Sequence, residues 1–330
     1  MDEIQGRLLN VSLLAGSKAH RAYSERAGVS VSDLTADQLA AGFPPRPSLN
    51  LHNFGGKTIA DLVFVNHYLG GSGSWDPADM ASIDAALAKA TSDSGLQSVI
   101  QQYYNPVISS RMLPSVVLPD AAPARIYKDQ VEALAAQIYT SGALAGADPG
   151  STVVNIMLPR GTVLVDGFSP GFTPPAGQEA EHEHRQRAVV KIDDEDADST
   201  TGLGGYHGST HVTSNGADTA VYYAVGVYSE GSNGIPVFGQ SWKNVVATFY
   251  HELNEARTDP DVEDVIRTND STKLGWYSNK GGEIGDIPMS EAGTNLTLVF
   301  QEVELADGSG TVPVQLMWSN KDDGPASHIA

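Results

Sequence analysis

The apolar residues of this chain follow two spacings: short continuous runs, and one residue every three or four positions. Continuous runs bounded by turn residues predict buried strands at residues 58–68, 152–158, 162–165, 220–228 and 312–318. Helical spacing predicts one helix that starts at Asp76-Pro77 and a second short helix through residues 96–103. It also predicts helices over residues 126–139 and 241–260. Because strands and helices interleave, we predict an α/β (α+β) fold, a single domain with a mixed β-sheet and packed helices.

The helix predicted over residues 241–260 carries one apolar stripe. The stripe comprises Trp242, Val245, Val246, Phe249, Leu253 and Ala256. Ser241 is the predicted N-cap, and Pro260 stops the helix. The residues opposite the stripe are expected to face away from the apolar core.

The beginning of the chain reads differently from the rest. Residues 1–50 are mixed in character, with a short helical candidate at 33–41 and a proline-containing connector at 44–47. We interpret residues 1–50 as an N-terminal extension and residues 51–330 as the main domain.

A second irregular segment covers residues 166–205, which lack periodicity and are rich in Gly, Pro and charge. It contains two charged runs, residues 179–187 with His182 and His184, and residues 193–198. The second run lacks the Gly and Glu spacing of a calcium loop, so both runs are expected to be solvated. We predict a long excursion over the surface.

Composition limits the function. The formal net charge of -20, without a cluster of Lys and Arg, opposes binding to nucleic acid. No apolar stretch approaches the length of a membrane span. The absence of cysteine excludes disulfides, thiolate nucleophiles and Cys-ligated zinc. Any metal ion must therefore be held by His, Asp or Glu, and the oligomeric state stays open.

The stretch His251-Glu252-Leu253-Asn254-Glu255 is the strongest chemical signal. Positions i and i+4 of a helix project from one face, so His251 and Glu255 can bind one metal ion. Glu252, on the adjacent flank, is placed to activate a metal-bound water. This is the arrangement of the HExxH zinc peptidases, with Glu in place of the second His. The carboxylate makes the site harder, so Zn²⁺ is expected first and Mn²⁺ or Ca²⁺ are alternatives.

Further ligands must come from elsewhere in the chain. The segment Gly282–Asp286 (GEIGD) supplies Glu283 or Asp286 as the third ligand. Tyr277 or His207 could stabilise an oxyanion. Considered alone, His207 and the nearby His211 are more typical of hydrogen-bonded loop histidines than of ligands. A surface helix that happens to contain this motif is the alternative without function.

The sequence also resembles the exordium-like or phosphate-induced proteins of plants and their bacterial relatives. The matching segments are 251–260 (HELNEARTDP), 275–277 (GWY), 282–286 (GEIGD), 205–207 (GYH), 314–320 (VQLMWSN), 64–75 (FVNHYLGGSGSW) and 96–104 (LQSVIQQYY). In this order they cover most of residues 55–320, and the combination is more specific than any one segment.

The resemblance also implies that two segments of the chain lie close together. Its members typically carry one Cys before the Tyr-His element and another after the Glu-Ile-x-Asp element, where this chain has Gly204 or Gly205 and Pro288. If those cysteines pair in the family, the segment with His207 lies beside the segment with Glu283. Family members are commonly exported, so the resemblance implies an exported protein.

Together these features predict a metal-dependent hydrolase that acts on peptides or proteins and has a zincin-like active helix. The alternative is a non-catalytic exported or cell-surface binding protein with a structural ion.

Overall fold

The computed structural model describes residues 11–14, 16–27, 42–144, 146–173, 198–214 and 217–329. The helical candidate at 33–41, the charged run 179–187 and residues 193–197 lie outside the described residues. The described helices are α1 (Lys18–Ala27), α2 (Pro77–Ser92), α3 (Ser94–Gln101), α4 (Lys128–Thr140), α5 (Ser241–Thr258), α6 (Val262–Thr268) and α7 (Asp286–Ala292). Among them, none has both the length and the apolar character that crossing a membrane requires.

The strands build one large sheet and several two-stranded ladders. In chain order they are β1 (Val11–Leu13), β2 (Leu51–Asn53), β3 (Asp61–Gly70), β4 (Ser109–Met112), β5 (Val116–Ala121), β6 (Arg125–Tyr127), β7 (Thr152–Leu158), β8 (Val163–Val165), β9 (Leu203–Ser214), β10 (Ala217–Val227), β11 (Trp276–Ser278), β12 (Phe300–Glu304), β13 (Thr311–Gln315), β14 (Met317–Ser319) and β15 (Gly324–Ala326). The 7-stranded sheet has the order β1-β9-β10-β7-β3-β4, and β5 also pairs with β3. Strands β10, β7, β3, β4 and β5 pair in parallel, whereas β9 and β1 pair antiparallel, so the sheet is mixed as predicted.

Helices cover both faces of the main sheet. On one face, Phe64 of β3 belongs to a core shared with Ile83 of α2 and Phe249 of α5. On the other face, Val154 of β7 packs in a second core with Val131 of α4. A central strand covered on both sides buries every side chain, which explains the continuous apolar run at residues 152–158. The molecule is a single α/β domain, and this prediction is confirmed.

Most predicted elements lie where the pattern placed them, with two differences. The helix predicted from residue 126 begins at Lys128, because the residues before it form β6 and pair with β8. The strand predicted over 312–318 is divided into β13 and β14, which pair with β12 and β15 respectively. The amide of Leu316, between them, still donates to the carbonyl of Val299, just before β12, at 2.8 Å, so the chain changes partner after this residue.

Strand β9 was not predicted. Residues 203–205 were assigned to the surface excursion, and His207 and His211 were interpreted as loop histidines, but all lie on this strand. Its glycines hide the strand pattern and are needed for packing: a β-carbon on Gly205 would lie 2.5 Å from the carbonyl oxygen of Val225. Asp198, expected to be solvated, is also buried and pairs with Arg125 at 2.8 Å.

Helix α5 is buried on all sides. The sequence predicted one apolar face and one face away from the core, but every residue from Asn244 to Thr258 is buried. The sheet strands β9 and β10 pack on one side, while α2 and β13 pack on others. The N-cap is Gln240 rather than Ser241, and its side chain makes no capping hydrogen bond. The surface-helix interpretation of the motif is therefore wrong.

Part of the predicted N-terminal extension belongs to the main sheet. Strand β1 pairs antiparallel with β9, with Ser12 opposite Gly205. Val11 and Leu13 are buried in the same core as α4. The sheet thus takes its edge strand from residues that precede the predicted boundary at residue 51.

Candidate metal centre

One turn of α5 carries the motif that the sequence singled out. His251 Nε2 lies 3.0 Å from Glu255 Oε2, so side chains at positions i and i+4 meet, as the helical geometry predicts. Glu252 joins them: His251, Glu252 and Glu255 each offer one ligand atom, and these atoms lie within 4.8 Å of one another. All three side chains are buried.

Gln315 of β13 determines which nitrogen of His251 carries a proton. The amide Nε2 of Gln315 donates to the carbonyls of Gly285 at 3.0 Å and Leu316 at 2.6 Å, so its Oε1 is the atom that accepts from His251 Nδ1. In the neutral ring the lone pair then lies on Nε2, facing Glu255. A lone pair beside a carboxylate is repulsive unless a proton or a cation lies between them.

The loop of residues 282–286 closes over this turn of the helix. The amides of Gly285 and Asp286 each donate to Glu255 Oε1 at 3.1 Å, which fixes the carboxylate and leaves Oε2 for the site. A β-carbon at position 285 would lie 2.4 Å from His251 Nδ1, so this approach requires glycine. Asp286 Oδ1 lies 3.9 Å from His251 Nε2, and the Asp286 side chain is 16% exposed. Asp286 is therefore a point of contact with solvent.

His207 of β9 projects into the same cluster from the sheet. Its Nδ1 lies 3.4 Å from Glu252 Oε2 and 3.5 Å from Glu255 Oε2. Its Nε2 lies 3.5 Å from Glu283 Oε1 and 3.4 Å from the carbonyl oxygen of Asp259. His207, Glu255 and Glu283 form a second group whose ligand atoms lie within 4.8 Å of one another. Glu255 therefore belongs to both groups.

Ser12, on the edge strand β1, contacts the predicted catalytic base. Its hydroxyl donates to Glu252 Oε1 at 2.6 Å, and both side chains are buried. This bond commits one oxygen of Glu252 and leaves Oε2 on the side of His207. The residue on β9 opposite Ser12 is Gly205, and a β-carbon added there would lie 3.2 Å from Glu252 Oε1.

Several buried polar atoms of the cluster make no hydrogen bond within the described part of the chain. They are His251 Nε2, Glu252 Oε2, Glu255 Oε2 and both carboxylate oxygens of Glu283. Buried polar atoms are usually paired, because desolvation without a partner costs about 1–3 kcal/mol or more for a charged group. Their convergence on one place makes the cluster a candidate site for a bound ion.

The electrostatics of the cluster are strongly perturbed. Burial lowers the pKa of His251, but the carboxylates of Glu255, Glu252 and Asp286 together outweigh burial and raise it to about 10. Burial likewise opposes the carboxylates that raise the pKa of His207 to about 10. For Glu255, burial is outweighed by the two imidazoles, which lower its pKa to about 2. Burial and the charge of Glu255 raise the pKa of Glu283 well above its usual range. Without a metal ion, protons must hold this cluster together.

The donor set and its spacing fit a divalent cation. Ligands of a tetrahedral zinc ion are about 3.3–3.6 Å apart, given bonds of about 2.0–2.2 Å. The spacing of 3.0 Å between His251 Nε2 and Glu255 Oε2, and of 3.5 Å between His207 Nδ1 and Glu255 Oε2, is close to this range. The outer nitrogen of His251 contacts Gln315, the kind of partner that orients histidine ligands of metals.

Six of the predicted site residues come together. Those brought together are His207, His251, Glu252, Glu255, Glu283 and Asp286. Tyr277, on β11, packs in a different cluster of apolar residues with Val262 and Leu274. His211 pairs with Asp218 at 2.7 Å and Asp264 at 3.1 Å. The roles of all these residues stay predictions.

Comparison with known proteins adds no relative. The chain matches no protein-family model, no curated protein and no solved structure. The function must therefore be inferred from the chemistry of the centre itself.

Two residues of the site were missed by the sequence analysis, Ser12 and Gln315. Their contacts had no signal in the sequence, because each joins residues far apart in the chain.

Proposed function

We propose that this protein is a metal-dependent hydrolase, with peptides as its substrates and one divalent cation held by His251 Nε2, Glu255 Oε2 and Asp286 Oδ1. The observation that carries the proposal is the contact between His251 Nε2 and Glu255 Oε2, two buried atoms that lie 3.0 Å apart and make no hydrogen bond within the described part of the chain. Asp286 takes the third place because its Oδ1 faces His251 Nε2 at 3.9 Å. Zn²⁺ is the expected ion, with Mn²⁺ and Ca²⁺ as alternatives.

Glu252 is the proposed general base. A divalent cation supplies Lewis-acid chemistry here, polarising a carbonyl and making water acidic. Glu252 accepts the proton from the attacking water through Oε2, since Ser12 already occupies Oε1 at 2.6 Å. Burial raises the pKa of Glu252, which brings the carboxyl closer to the range suited to proton transfer near neutral pH. Peptides are proposed by analogy with the HExxH arrangement, and family membership among the exordium-like proteins remains a proposal supported by the contact of His207 with Glu283.

A second candidate function is a structural ion in a non-catalytic binding protein. The specific observation in its favour is burial: the side chains of His207, Glu252, Glu255 and Glu283 are 0% exposed. Structural metal sites are closed, whereas catalytic sites keep a position open to water or substrate. In the hydrolase proposal, that opening lies on the side of Asp286, whose side chain is 16% exposed.

One variant separates the two functions. Purified wild type and Glu252→Gln are compared for zinc content and for hydrolysis of fluorescein-labelled casein, with Glu304→Gln on an exposed strand as the matched control. A hydrolase keeps its zinc in Glu252→Gln and loses about 10²–10⁴-fold in turnover. Zinc in every variant without hydrolysis by the wild type would support the structural ion. Wild type that binds no divalent cation would overturn both functions.

A further inference from the structure

We propose that the centre holds two divalent cations that share the carboxylate of Glu255. The first is the cation proposed above, on which this inference rests. The second lies between His207, Glu255 and Glu283, whose ligand atoms are within 4.8 Å of one another. His207 lies 3.5 Å from a carboxylate oxygen of each partner, through Nδ1 to Glu255 and through Nε2 to Glu283.

Glu283 provides the independent observation. Its side chain is 0% exposed, and neither carboxylate oxygen makes a hydrogen bond with the described residues. The nitrogen His207 Nε2 is 3.5 Å from Oε1. A proton on Glu283 would remove its charge but would itself need an acceptor, because a protonated carboxyl is a donor. A cation satisfies the carboxylate directly.

Glu255 has the geometry of a shared ligand. Its Oε1 is held by two backbone amides, each at 3.1 Å, so the carboxylate is fixed in one orientation. Its Oε2 stands between the two imidazoles, 3.0 Å from His251 Nε2 and 3.5 Å from His207 Nδ1. In two-metal sites the ions are about 3.5–4 Å apart. Glu255 Oε2 therefore lies where one oxygen atom could bind both ions.

The charge of the cluster also favours a second cation. Its carboxylates are Glu252, Glu255, Asp259, Glu283 and Asp286. In the described part of the chain, the ion pairs of these carboxylates are with the two imidazoles of the site. The nearby guanidinium of Arg257 points elsewhere and donates to the carbonyls of Ile59, Ala60 and Ser109. One divalent cation leaves an excess of buried negative charge, and two nearly neutralise it.

The ligands of the second position indicate its preferred ions. Two carboxylates and one imidazole face it. A set dominated by oxygen suits hard cations such as Mn²⁺, Mg²⁺ or Ca²⁺. We therefore expect Mn²⁺ to fill both positions and Zn²⁺ to prefer the first.

The test counts ions. The full-length wild type and Glu283→Gln are loaded with Mn²⁺, and bound ions per chain are counted by native mass spectrometry and elemental analysis, with Glu304→Gln as control. We expect about two ions in the wild type and in the control, and about one in Glu283→Gln. Electron paramagnetic resonance of the loaded wild type should show exchange coupling between neighbouring Mn²⁺ ions, a measurement that does not depend on the folding of any variant.

The outcomes separate the two proposals. One uncoupled ion per chain in the wild type, unchanged in Glu283→Gln, would overturn the second cation and leave the proposed function standing. No bound ion in the wild type would overturn both. Two ions in Glu283→Gln, with the coupling intact, would overturn the proposal that Glu283 binds the second ion.

Discussion

The two faces of β9 hold buried clusters of charged groups that are balanced in different ways. Tyr206 and His207 are neighbours on this strand and point to opposite faces. Behind Tyr206, the ammonium of Lys128 contacts Glu263 at 2.8 Å and Asp166 at 3.2 Å, and lies 5.1 Å from the Tyr206 ring. Around His207, carboxylates gather with imidazoles as their partners.

The comparison shows what distinguishes a structural cluster from a ligand site. The cluster behind β9 carries its own permanent cation, so its carboxylates are paired within the chain. The cluster in front has orphaned oxygens on Glu252, Glu255 and Glu283. The first cluster is complete as folded, while the second needs protons or metal ions to be complete.

The largest effect is expected from removing the ammonium group of Lys128. Lys128→Met would leave Asp166 and Glu263 buried without their positively charged partner, and should lower the free energy of unfolding by about 3–5 kcal/mol. Urea denaturation measures this loss, and Mn²⁺ should not restore it. Lys89→Met, on the exposed side of α2, is the control and should change stability by less than about 0.5 kcal/mol. Equal effects of the two substitutions would mean that the ion pairs of Lys128 do not stabilise the fold.

A buried imidazole without acidic neighbours sharpens the comparison with His251. His67 of β3 is 1% exposed, and burial lowers its pKa from 6.5 to about 4. A depressed histidine pKa favours the folded state above pH 6.5, and this stability is lost as pH falls through the folded pKa near 4. Acidification from pH 7 to below pH 4 should therefore cost about 3 kcal/mol through this residue.

Urea denaturation at both pH values measures this loss for the wild type and for His67→Phe, and the difference between their pH dependences isolates the residue. If the two proteins lose the same stability on acidification, the ring of His67 is not held neutral by burial.

The third largest effect is expected from adding and removing metal, to which only the cluster around His207 should respond. Saturating Mn²⁺ at about 100 times its dissociation constant should raise the free energy of unfolding by about 2.7 kcal/mol, since the ligands come together only in the folded chain. EDTA should reverse the gain in the wild type and in Lys128→Met alike, because the proposed ligands lie outside the lysine cluster. A melting temperature that does not respond to metal or to EDTA would contradict the metal centre.

The smallest effect concerns the residue that orients His251. Gln315→Leu removes the acceptor at His251 Nδ1 and should weaken metal binding by about 10–100-fold, as loss of such partners does in other metal sites. Isothermal titration with Mn²⁺ measures the affinity. Gln301→Leu, exposed on β12, is the matched control and should bind as the wild type does. An unchanged affinity in Gln315→Leu would show that the tautomer of His251 is set in another way.

The sequence predicted the parts of the fold and site that depend on local spacing. The i and i+4 positions of His251 and Glu255 sufficed to bring their side chains together. Strand β7 could be predicted because every one of its residues is buried, which gives a mostly apolar sequence. The segment 282–286 was chosen for its carboxylates, and it does reach the helix.

The parts that the sequence missed depend on contacts between distant residues. Strand β9 was obscured by glycines that the packing requires, such as Gly205 against the backbone of Val225. The burial of α5 on all sides comes from elements that precede and follow it by many residues, so no helical periodicity could reveal it. Ser12 and Glu252 are 240 positions apart, and their bond has no local signature.

The small solvent contact of Asp286 has a kinetic consequence. Among the carboxylates described in the centre, its side chain is the one with measurable exposure, at 16%. An ion bound in this centre would have to shed its hydration shell to enter, and it would leave when the loop of residues 282–286 opens locally. Exchange of the ion should consequently be slow, so that a chelator removes it over a time set by the opening of the chain rather than by its affinity.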